Sequence, residues 1–219
     1  LVTGANRGIG LEVCRQLSTR GDDVIAVCRT SSPELDGLNI RVESGIDVAD
    51  PDAIGELGRR LDGVALDSLW HVAGILRRQA LGEIDATAIE DMLAQYRVNS
   101  LAPVLVTQAL LDNLHAGARV AIVTSRMGSI DDNDSGSHYG YRMSKAAVNM
   151  AGKSLSVDLH ERGIAVAILH PGYVRTDMTE NRGFIDPPES AAGLIARMDA
   201  LKLEHSGSFW HANGERLPW

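Results

Sequence analysis

The chain has 219 residues, of which 44% are apolar and 23% charged, and its 29 Asp and Glu against 21 Lys and Arg give a formal net charge of -8. This size and composition are typical of one globular domain that buries a core without metal or disulfide staples. The negative charge and the small aromatic set of 2 Phe, 3 Trp and 4 Tyr argue against a nucleic-acid partner. No apolar run reaches the length that spans a bilayer, so we expect a cytoplasmic protein with no membrane partner.

The cysteines and histidines indicate neither a disulfide nor a metal site. Cys14 and Cys28 lack a Cys-x-x-Cys spacing, so we expect two buried free thiols. The seven histidines show no ligand spacing with acids or thiols, and we expect no metal. The chain opens on Leu-Val-Thr-Gly, a pattern typical of the end of a strand, so we expect the first strand to be truncated and further residues to precede it.

Short β-branched or apolar runs alternate with longer segments of helical periodicity. The predicted strands cover residues 24–28, 40–42, 68–73, 119–124, 164–169 and 208–210. The predicted helices cover residues 8–20, 52–61, 88–114, 139–161 and 188–203. Because parallel neighbours need helical crossovers, the alternation predicts an α/β fold: a Rossmann-type doubly wound parallel β-sheet flanked by helices on both faces. No linker interrupts the pattern, so residues 1–219 are expected to form a single domain.

A glycine-rich turn, Thr3-Gly4-Ala5-Asn6-Arg7-Gly8-Ile9-Gly10, follows the strand remnant and opens the first helix. A dinucleotide pyrophosphate can rest there on free backbone N–H groups, and glycines let the backbone approach it closely. The spacing is Gly-x-x-x-Gly-x-Gly rather than the commoner Gly-x-Gly-x-x-Gly. Taken alone, the three glycines also fit an ordinary strand-to-helix turn.

Further motifs follow this turn in a fixed order. They are Asp47-Val48 after the third strand, His71-Val72-Ala73-Gly74 at the end of the fourth, Asn99 in the long helix, Ser125 at the end of the fifth strand, Tyr141-Arg142-Met143-Ser144-Lys145 on the next helix, and Pro171-Gly172-Tyr173-Val174-Arg175-Thr176 after the sixth strand. In this order the chain resembles the short-chain dehydrogenase/reductase family over essentially its whole length. Met127-Gly128-Ser129-Ile130 and the closing Gly214-Glu215-Arg216-Leu217-Pro218-Trp219 resemble its C-factor and small carbonyl-reductase branch.

The resemblance implies an oxidoreductase that interconverts a carbonyl and an alcohol with a nicotinamide cofactor. The cofactor-binding residues it implies are Gly4, Asn6, Arg7, Gly8, Ile9, Gly10, Arg29, Thr30, Asp47, Val48, Ala73, Gly74, Tyr141, Lys145, Pro171, Gly172, Val174 and Thr176. His71-Val72 departs from the family's usual Asn-Asn and removes two amides that normally brace the cofactor.

Four residues are implied in catalysis. Tyr141 would donate the proton, and Lys145, four positions further on the same helix face, would favour the phenolate. Ser125 would hydrogen-bond the substrate oxygen and stabilise its developing charge. Asn99 resembles the family's helix-bending asparagine, whose carbonyl holds a water in a proton relay to the lysine.

One alternative stays open for each of two of these roles. Tyr139 is a second phenol, although Met143 rather than a base stands four residues beyond it. Ser129 is a second hydroxyl, but Ser125 directly follows an apolar strand, and ligands of open α/β sheets bind at carboxyl strand ends.

The end of the second strand predicts which dinucleotide binds. The sequence there, Cys28-Arg29-Thr30-Ser31-Ser32, lacks the acid that holds the 2′-hydroxyl of NAD. Arg29 and Arg7 can bracket a 2′-phosphate, assisted by the hydroxyls of Thr30 and Ser31. We therefore expect NADP(H) to be preferred over NAD(H).

Other functions and partners follow from the same resemblance. An NAD(P)-binding, C-factor-like signalling protein with little turnover is the alternative function, whereas a nucleotide-sugar epimerase needs a longer chain. The family pairs the helices that carry Asn99 and Tyr141, so a homo-dimer or homo-tetramer acting on a small-molecule carbonyl or alcohol is expected. The short segment 177–187 is expected to leave the substrate side open.

Overall fold

The computed structural model describes residues 1–219. Seven strands, all parallel, form one sheet in the order β3-β2-β1-β4-β5-β6-β7. The strands are β1 (Val2–Thr3), β2 (Ile25–Val27), β3 (Arg41–Glu43), β4 (Leu66–His71), β5 (Leu114–Val123), β6 (Ala165–His170) and β7 (Ser208–His211). The strand order reverses between β1 and β4, which opens a crevice at their carboxyl ends. The predicted doubly wound parallel sheet is confirmed.

Helices cover both faces of this sheet. They are α1 (Gly8–Arg20), α2 (Pro33–Asp36), α3 (Pro51–Arg60), α4 (Ala86–Tyr96), α5 (Ala102–Ala109), α6 (Tyr139–Asp158) and α7 (Pro187–Asp199). Helices α1 and α7 bury one apolar cluster against the sheet, while α3, α5 and α6 bury a second on the opposite face. Helix α4 lies outside the sheet and packs on α6. None of the helices combines the length and apolar character needed to cross a membrane.

Local sequence signals explain where several helices begin and end. Helix α3 begins at Pro51, and the Asp50 carboxylate accepts the N–H of Asp52 at 2.9 Å. Helix α1 ends at Gly21, whose φ of 97° is the left-handed conformation that glycine adopts without steric cost. Helix α7 begins at Pro187, where a missing N–H costs nothing.

The helix predicted over residues 88–114 is helical only as far as Ala109 and contains a π turn. The chain there forms α4, a π-helical turn at Arg97–Leu101, α5 and a short 3₁₀ turn at Leu111–Asn113. The N–H of Ala102 bonds to the carbonyl of Arg97, five residues back, and apolar periodicity does not reveal such a change of hydrogen-bond pattern. Strand β5 also begins earlier than predicted, at Leu114, because an irregular register across β4 lets this residue pair with Leu66.

Both cysteines are buried and unpaired, as expected. Burial raises the pKa of the Cys14 thiol to about 12, which keeps it protonated and unreactive. No group of three or more His, Cys, Asp or Glu side chains is placed to hold a metal ion.

Candidate active site

The glycine turn lies against the end of β4 and leaves no room for side chains. A Cβ added to Gly4 would lie 2.7 Å from the Ala73 Cα, and one added to Gly10 would lie 2.2 Å from the Gly4 carbonyl oxygen. Arg7, the N-cap of α1, provides no side-chain cap, and the first helical turn contains no acid. The first N–H groups of α1 therefore remain available to an anion, and this cradle fits a dinucleotide pyrophosphate.

Two other segments meet the glycine turn. The Ser32 hydroxyl donates to the Asn6 carbonyl at 2.8 Å, which holds the loop after β2 beside the turn. A Cβ added to Gly8 would lie 3.5 Å from the Thr176 Cγ2 atom, so the loop after β6 borders the turn from the other side. Segments from distant parts of the sequence that carry predicted cofactor residues thus meet at the glycine turn.

The end of β2 presents basic and hydroxyl groups and no acid. Arg29 and Thr30 are exposed there. The Arg29 Nη1 atom lies 3.8 Å from the Asp47 Oδ2 atom, and the Arg7 Nη1 atom lies 3.3 Å from the Asp177 Oδ2 atom. Each arginine predicted to bind a phosphate therefore already faces one exposed carboxylate.

Tyr141 and Lys145 are buried on one face of α6. The Lys145 Nζ atom lies 5.7 Å from the centre of the Tyr141 ring and donates to the Val123 carbonyl at 3.0 Å. Ser125 follows the end of β5, and its hydroxyl accepts the N–H of Met127 at 3.1 Å. Burial raises the pKa of Tyr141 to about 12, an effect that its hydrogen bond with Ser125 opposes, and burial lowers the pKa of Lys145 to about 8.

Asn99 lies in the π turn and joins three elements. Its amide nitrogen donates to the Ile75 carbonyl at 2.9 Å and to the Ser144 hydroxyl at 3.0 Å, and its oxygen accepts the Ile75 N–H at 2.9 Å. A Cβ added to Gly74 would lie 3.3 Å from the Asn99 Oδ1 atom and 3.8 Å from the Lys145 Nζ atom. Asn99 and Lys145 therefore both border the strand-end glycine at the head of the crevice.

The two alternative residues are placed differently from Tyr141 and Ser125. Tyr139 is only partly buried at the first residue of α6, whereas Tyr141 is buried and the Ser125 side chain opposes the rise that burial causes in its pKa. Ser129 is buried, and its hydroxyl accepts the N–H of Asp132 at 3.2 Å, which stabilises a turn. The geometry favours Tyr141 and Ser125.

Hydrogen bonds within the protein hold the His71-Val72 segment, which replaces the family's usual Asn-Asn. The His71 Nε2 atom lies 2.9 Å from the Thr107 hydroxyl, which itself donates to the Pro103 carbonyl, so His71 donates to Thr107. Burial lowers the pKa of His71 to about 3 and keeps the ring neutral. The Thr3 hydroxyl accepts the N–H groups of Val72 and Ala73 at 3.2 and 3.4 Å, so this side chain braces the end of β4.

Gln79, which no sequence pattern indicated, supports the start of α6. Its Oε1 atom accepts the N–H of Gly140 at 3.1 Å, and its carbonyl accepts the N–H of His138 at 2.9 Å. It therefore fixes the start of α6 one residue before Tyr141. Its partners are distant in the sequence, and a lone glutamine in a loop carries no pattern that could have identified it.

The segment after β6 borders the substrate side with exposed side chains. Glu180 reaches the loop after β4, where its Oε1 atom lies 2.8 Å from the Arg78 Nη2 atom. Tyr173 and Phe184 meet edge to face, with ring centres 5.3 Å apart, and both side chains remain exposed. A charged bridge and an aromatic pair therefore border the cleft.

Comparison with known proteins agrees with this architecture. Residues 1–183 match the short chain dehydrogenase family. The chain is 43% identical to 1-hydroxy-2-glutathionyl-2-methyl-3-butene dehydrogenase of Rhodococcus sp. (strain AD45), over 100% of this chain and 98% of that one. It is 46% identical to C-signal of Myxococcus xanthus over 64% of this chain and 84% of that one. The NADPH-bound carbonyl reductase from chicken fatty liver superposes with a TM-score of 0.88 at 31% identity, over 100% of this chain and 97% of that one.

A doubly wound parallel sheet with a glycine cradle at its switch point defines a Rossmann-type nucleotide-binding protein. The chain belongs to the short chain dehydrogenase family and is an oxidoreductase of that family. The similarity to C-signal and to carbonyl reductases confirms the branch expected from the sequence.

Proposed function

We propose that this protein interconverts a carbonyl and an alcohol with NADP(H) as its cofactor, and that Tyr141 is its general acid and base. The observation that carries the proposal is the convergence of Tyr141, Lys145, Ser125 and Asn99 beside the glycine cradle. The cradle residues Gly4, Gly8, Ile9 and Gly10 hold the pyrophosphate, and the loop Pro171–Thr176 borders the nicotinamide side. When bound, the nicotinamide supplies or accepts the hydride.

Tyr141 delivers the proton to the substrate oxygen. The phenol is protonated at neutral pH, and burial raises its pKa further, to about 12. A protonated phenol is the form that a carbonyl reduction requires, since negative charge develops on the oxygen as hydride arrives. Ser125 lies beside Tyr141 and would donate its single hydroxyl proton to the substrate oxygen, which stabilises that charge in the transition state.

Lys145 stabilises the phenolate that remains after proton transfer. Its pKa of about 8 leaves it mostly charged at pH 7, and its ammonium lies 5.7 Å from the ring centre in a buried site where such a charge is weakly screened. Asn99 bonds the segment at Ile75 to Ser144 of α6, and we assign its main-chain carbonyl to a water relay that returns the proton to Lys145.

The preference for NADP(H) rests on Arg7 and Arg29. Both guanidinium groups are exposed, and neither faces more than one carboxylate at 3.3 Å or beyond. A 2′-phosphate offers three acceptor oxygens, so it competes well for arginines held by weak surface ion pairs. The chicken carbonyl reductase, similar over the whole chain, is bound to NADPH, which supports the same choice here.

We also propose a cytoplasmic homo-oligomer. Ile89, Leu93 and Tyr96 of α4, and Met143 and Met150 of α6, are exposed on two helices that pack side by side. Several exposed apolar side chains on two paired helices are typical of an interface between subunits. Two buried cysteines that form no disulfide fit a reducing compartment.

A second candidate is a regulatory dinucleotide-binding protein with little turnover, which the similarity to C-signal favours. The two candidates differ in their need for a proton donor. Binding of a dinucleotide requires the glycine cradle alone, whereas reduction also requires Tyr141.

The test is NADPH oxidation by the purified protein over a panel of ketones, aldehydes and quinones. Glutathione-conjugated alcohols, the class named for the Rhodococcus relative, are the first substrates to test with NADP⁺. We expect Tyr141→Phe to abolish turnover and to change the NADPH Kd by less than about threefold, because the ring still packs but holds no proton. Tyr139→Phe is the matched control and retains activity.

Two results would contradict the proposal. Substantial turnover in Tyr141→Phe would remove this residue from the mechanism. A wild-type protein that binds NADPH tightly but reduces nothing in the panel would favour the regulatory candidate.

A further inference from the structure

We propose that Arg78 and Arg182 form a subsite for a carboxylate group of the substrate, and that Glu180 is an internal competitor for it. The inference rests on the proposed carbonyl reduction and names the chemical class of its substrate, an aldehyde or ketone that carries a carboxylate away from the reacting carbon.

A single carboxylate bridges the two arginines. The Glu180 Oε1 atom lies 2.8 Å from the Arg78 Nη2 atom, and its Oε2 atom contacts the Arg182 Nη2 atom. Arg78 lies in the loop after β4 and Arg182 in the loop after β6, so guanidinium groups from two separate loops meet at one carboxylate. Planar guanidinium groups that converge in this way form a geometry suited to any carboxylate.

Arg78 is anchored beside the proton donor. It directly precedes Gln79, whose side chain binds the N–H of Gly140, the residue before Tyr141. The positive charge of Arg78 also contributes, after burial, to lowering the pKa of His138 just ahead of α6. The loop that carries Arg78 is therefore attached to the start of the helix that carries Tyr141.

The backbone fixes Glu180 opposite Arg78. The Thr179 hydroxyl donates to the Val174 carbonyl at 2.6 Å and closes the 3₁₀ turn at Asp177–Thr179. Glu180 and Asn181 follow in the left-handed region, with φ of 53° and 58°, which is uncommon for residues other than glycine. This turn places the Glu180 carboxylate within reach of Arg78 in the loop after β4.

The internal ion pairs are weak enough for a substrate to displace. The exposed fractions of the Arg78, Glu180 and Arg182 side chains are 52%, 54% and 59%, so water and salt screen their attraction. Two guanidinium groups against one carboxylate leave the cluster with a net positive charge, although the whole chain carries -8. The cluster therefore attracts an anionic group to one place on an acidic protein.

The experiment compares 4-carboxybenzaldehyde with its methyl ester as substrates for NADPH-dependent reduction by the full chain. We expect the wild-type KM to be lower for the acid. Arg78→Gln and Arg182→Gln should each raise the acid-to-ester ratio of KM by about tenfold, the size expected for loss of one charge-assisted hydrogen bond. Glu180→Gln should lower that ratio, because it removes the competing carboxylate.

Arg77→Gln is the matched control. Arg77 is the neighbouring exposed arginine, but its Nε atom faces Asp91 at 3.7 Å and not Glu180. This variant should keep the wild-type ratio of KM. A ratio near one in the wild type that none of the three subsite variants changes would overturn the proposal.

A binding measurement separates this inference from the proposed function. If neither these aldehydes nor any other member of the carbonyl panel is reduced, the proposed function fails, and calorimetric titration of terephthalate into the protein with NADPH then decides on the subsite. Binding that weakens in Arg78→Gln and tightens in Glu180→Gln supports the subsite. Binding that is absent, or equal in all variants, refutes it.

Discussion

Gly10→Ala tests whether the glycine cradle is as tightly packed as the structure shows. The added Cβ would lie 2.2 Å from the Gly4 carbonyl oxygen, 2.9 Å from its carbon and 3.2 Å from the Ala5 Cα. All three are backbone atoms, so no side-chain rotation can relieve the clash. The turn has to retreat by roughly 1 Å to restore an ordinary contact.

The cost of this movement can be bounded. Overpacking of this kind costs about 1–3 kcal/mol, and the gain from alanine in a helix returns about 0.5–1 kcal/mol. The net loss of about 0.5–2 kcal/mol lowers the Tm of a chain of this size by about 1–8 °C. Displacement of the Gly4 and Ala5 backbone also misplaces the N–H groups that receive the pyrophosphate, so we expect the NADPH Kd to rise by at least about tenfold.

The assay is thermal unfolding with and without saturating NADPH, together with a fluorescence titration of the cofactor. Gly55→Ala in α3 is the matched control, because its added Cβ would meet only the Arg59 Nη1 atom at 3.7 Å. We expect that variant to be slightly more stable than the wild type and to bind NADPH normally. A Gly10→Ala protein with wild-type Tm and Kd would refute the packing argument.

Three further predictions concern charge. Arg29→Asp should shift the ratio of Kd values toward NADH, because it replaces a phosphate partner with an acceptor for the ribose hydroxyl, and an unchanged ratio would exclude Arg29 from selection. The wild-type free energy of unfolding, measured by denaturant titration, should rise by on the order of 3 kcal/mol between pH 8 and 10.5. The cause is that Lys145 releases its proton in the folded state in this range, whereas it keeps the proton in the unfolded chain. Lys145→Met should lack this rise. His71→Asn should lose less stability than the wild type as the pH falls from 6.5 to 3. In the wild type, His71 stays neutral in the folded core but takes up a proton in the unfolded chain, which favours unfolding. Equal acid sensitivity of the two proteins would contradict this.

The sequence predicted those parts of the site that depend on local signals. The glycine turn, the start of α6 and the Tyr141–Lys145 pair each lie within one element, where spacing alone decides which side chains share a face. Gln79 escaped prediction because its partner Gly140 lies 61 residues further along the chain. The bridge from Arg78 to Glu180 was not predicted for the same reason, since the two residues lie in loops that only the strand order of the sheet brings together.

The π turn before α5 was not predicted for a related reason. Apolar residues recur on both sides of it, and the intervening change from α to π hydrogen bonding leaves no trace in the pattern of residue types. Likewise, Arg7 and Arg29 lie where the sequence placed them, but their carboxylate partners Asp177 and Asp47 come from other segments.

The π turn also acts as a phase shift between two helices. It takes one more residue than an α-helical turn, which rotates everything beyond it by about 100° relative to a continuous helix. Upstream, Ile89 and Leu93 of α4 point to the exterior, while downstream Val106 of α5 is fully enclosed. Deleting one residue within Arg97–Leu101 would remove this rotation. Either the exposed apolar side chains of α4 or the buried side chains of α5 would then face different surroundings. The number of residues in this turn is therefore as necessary to the cleft as the identity of Asn99.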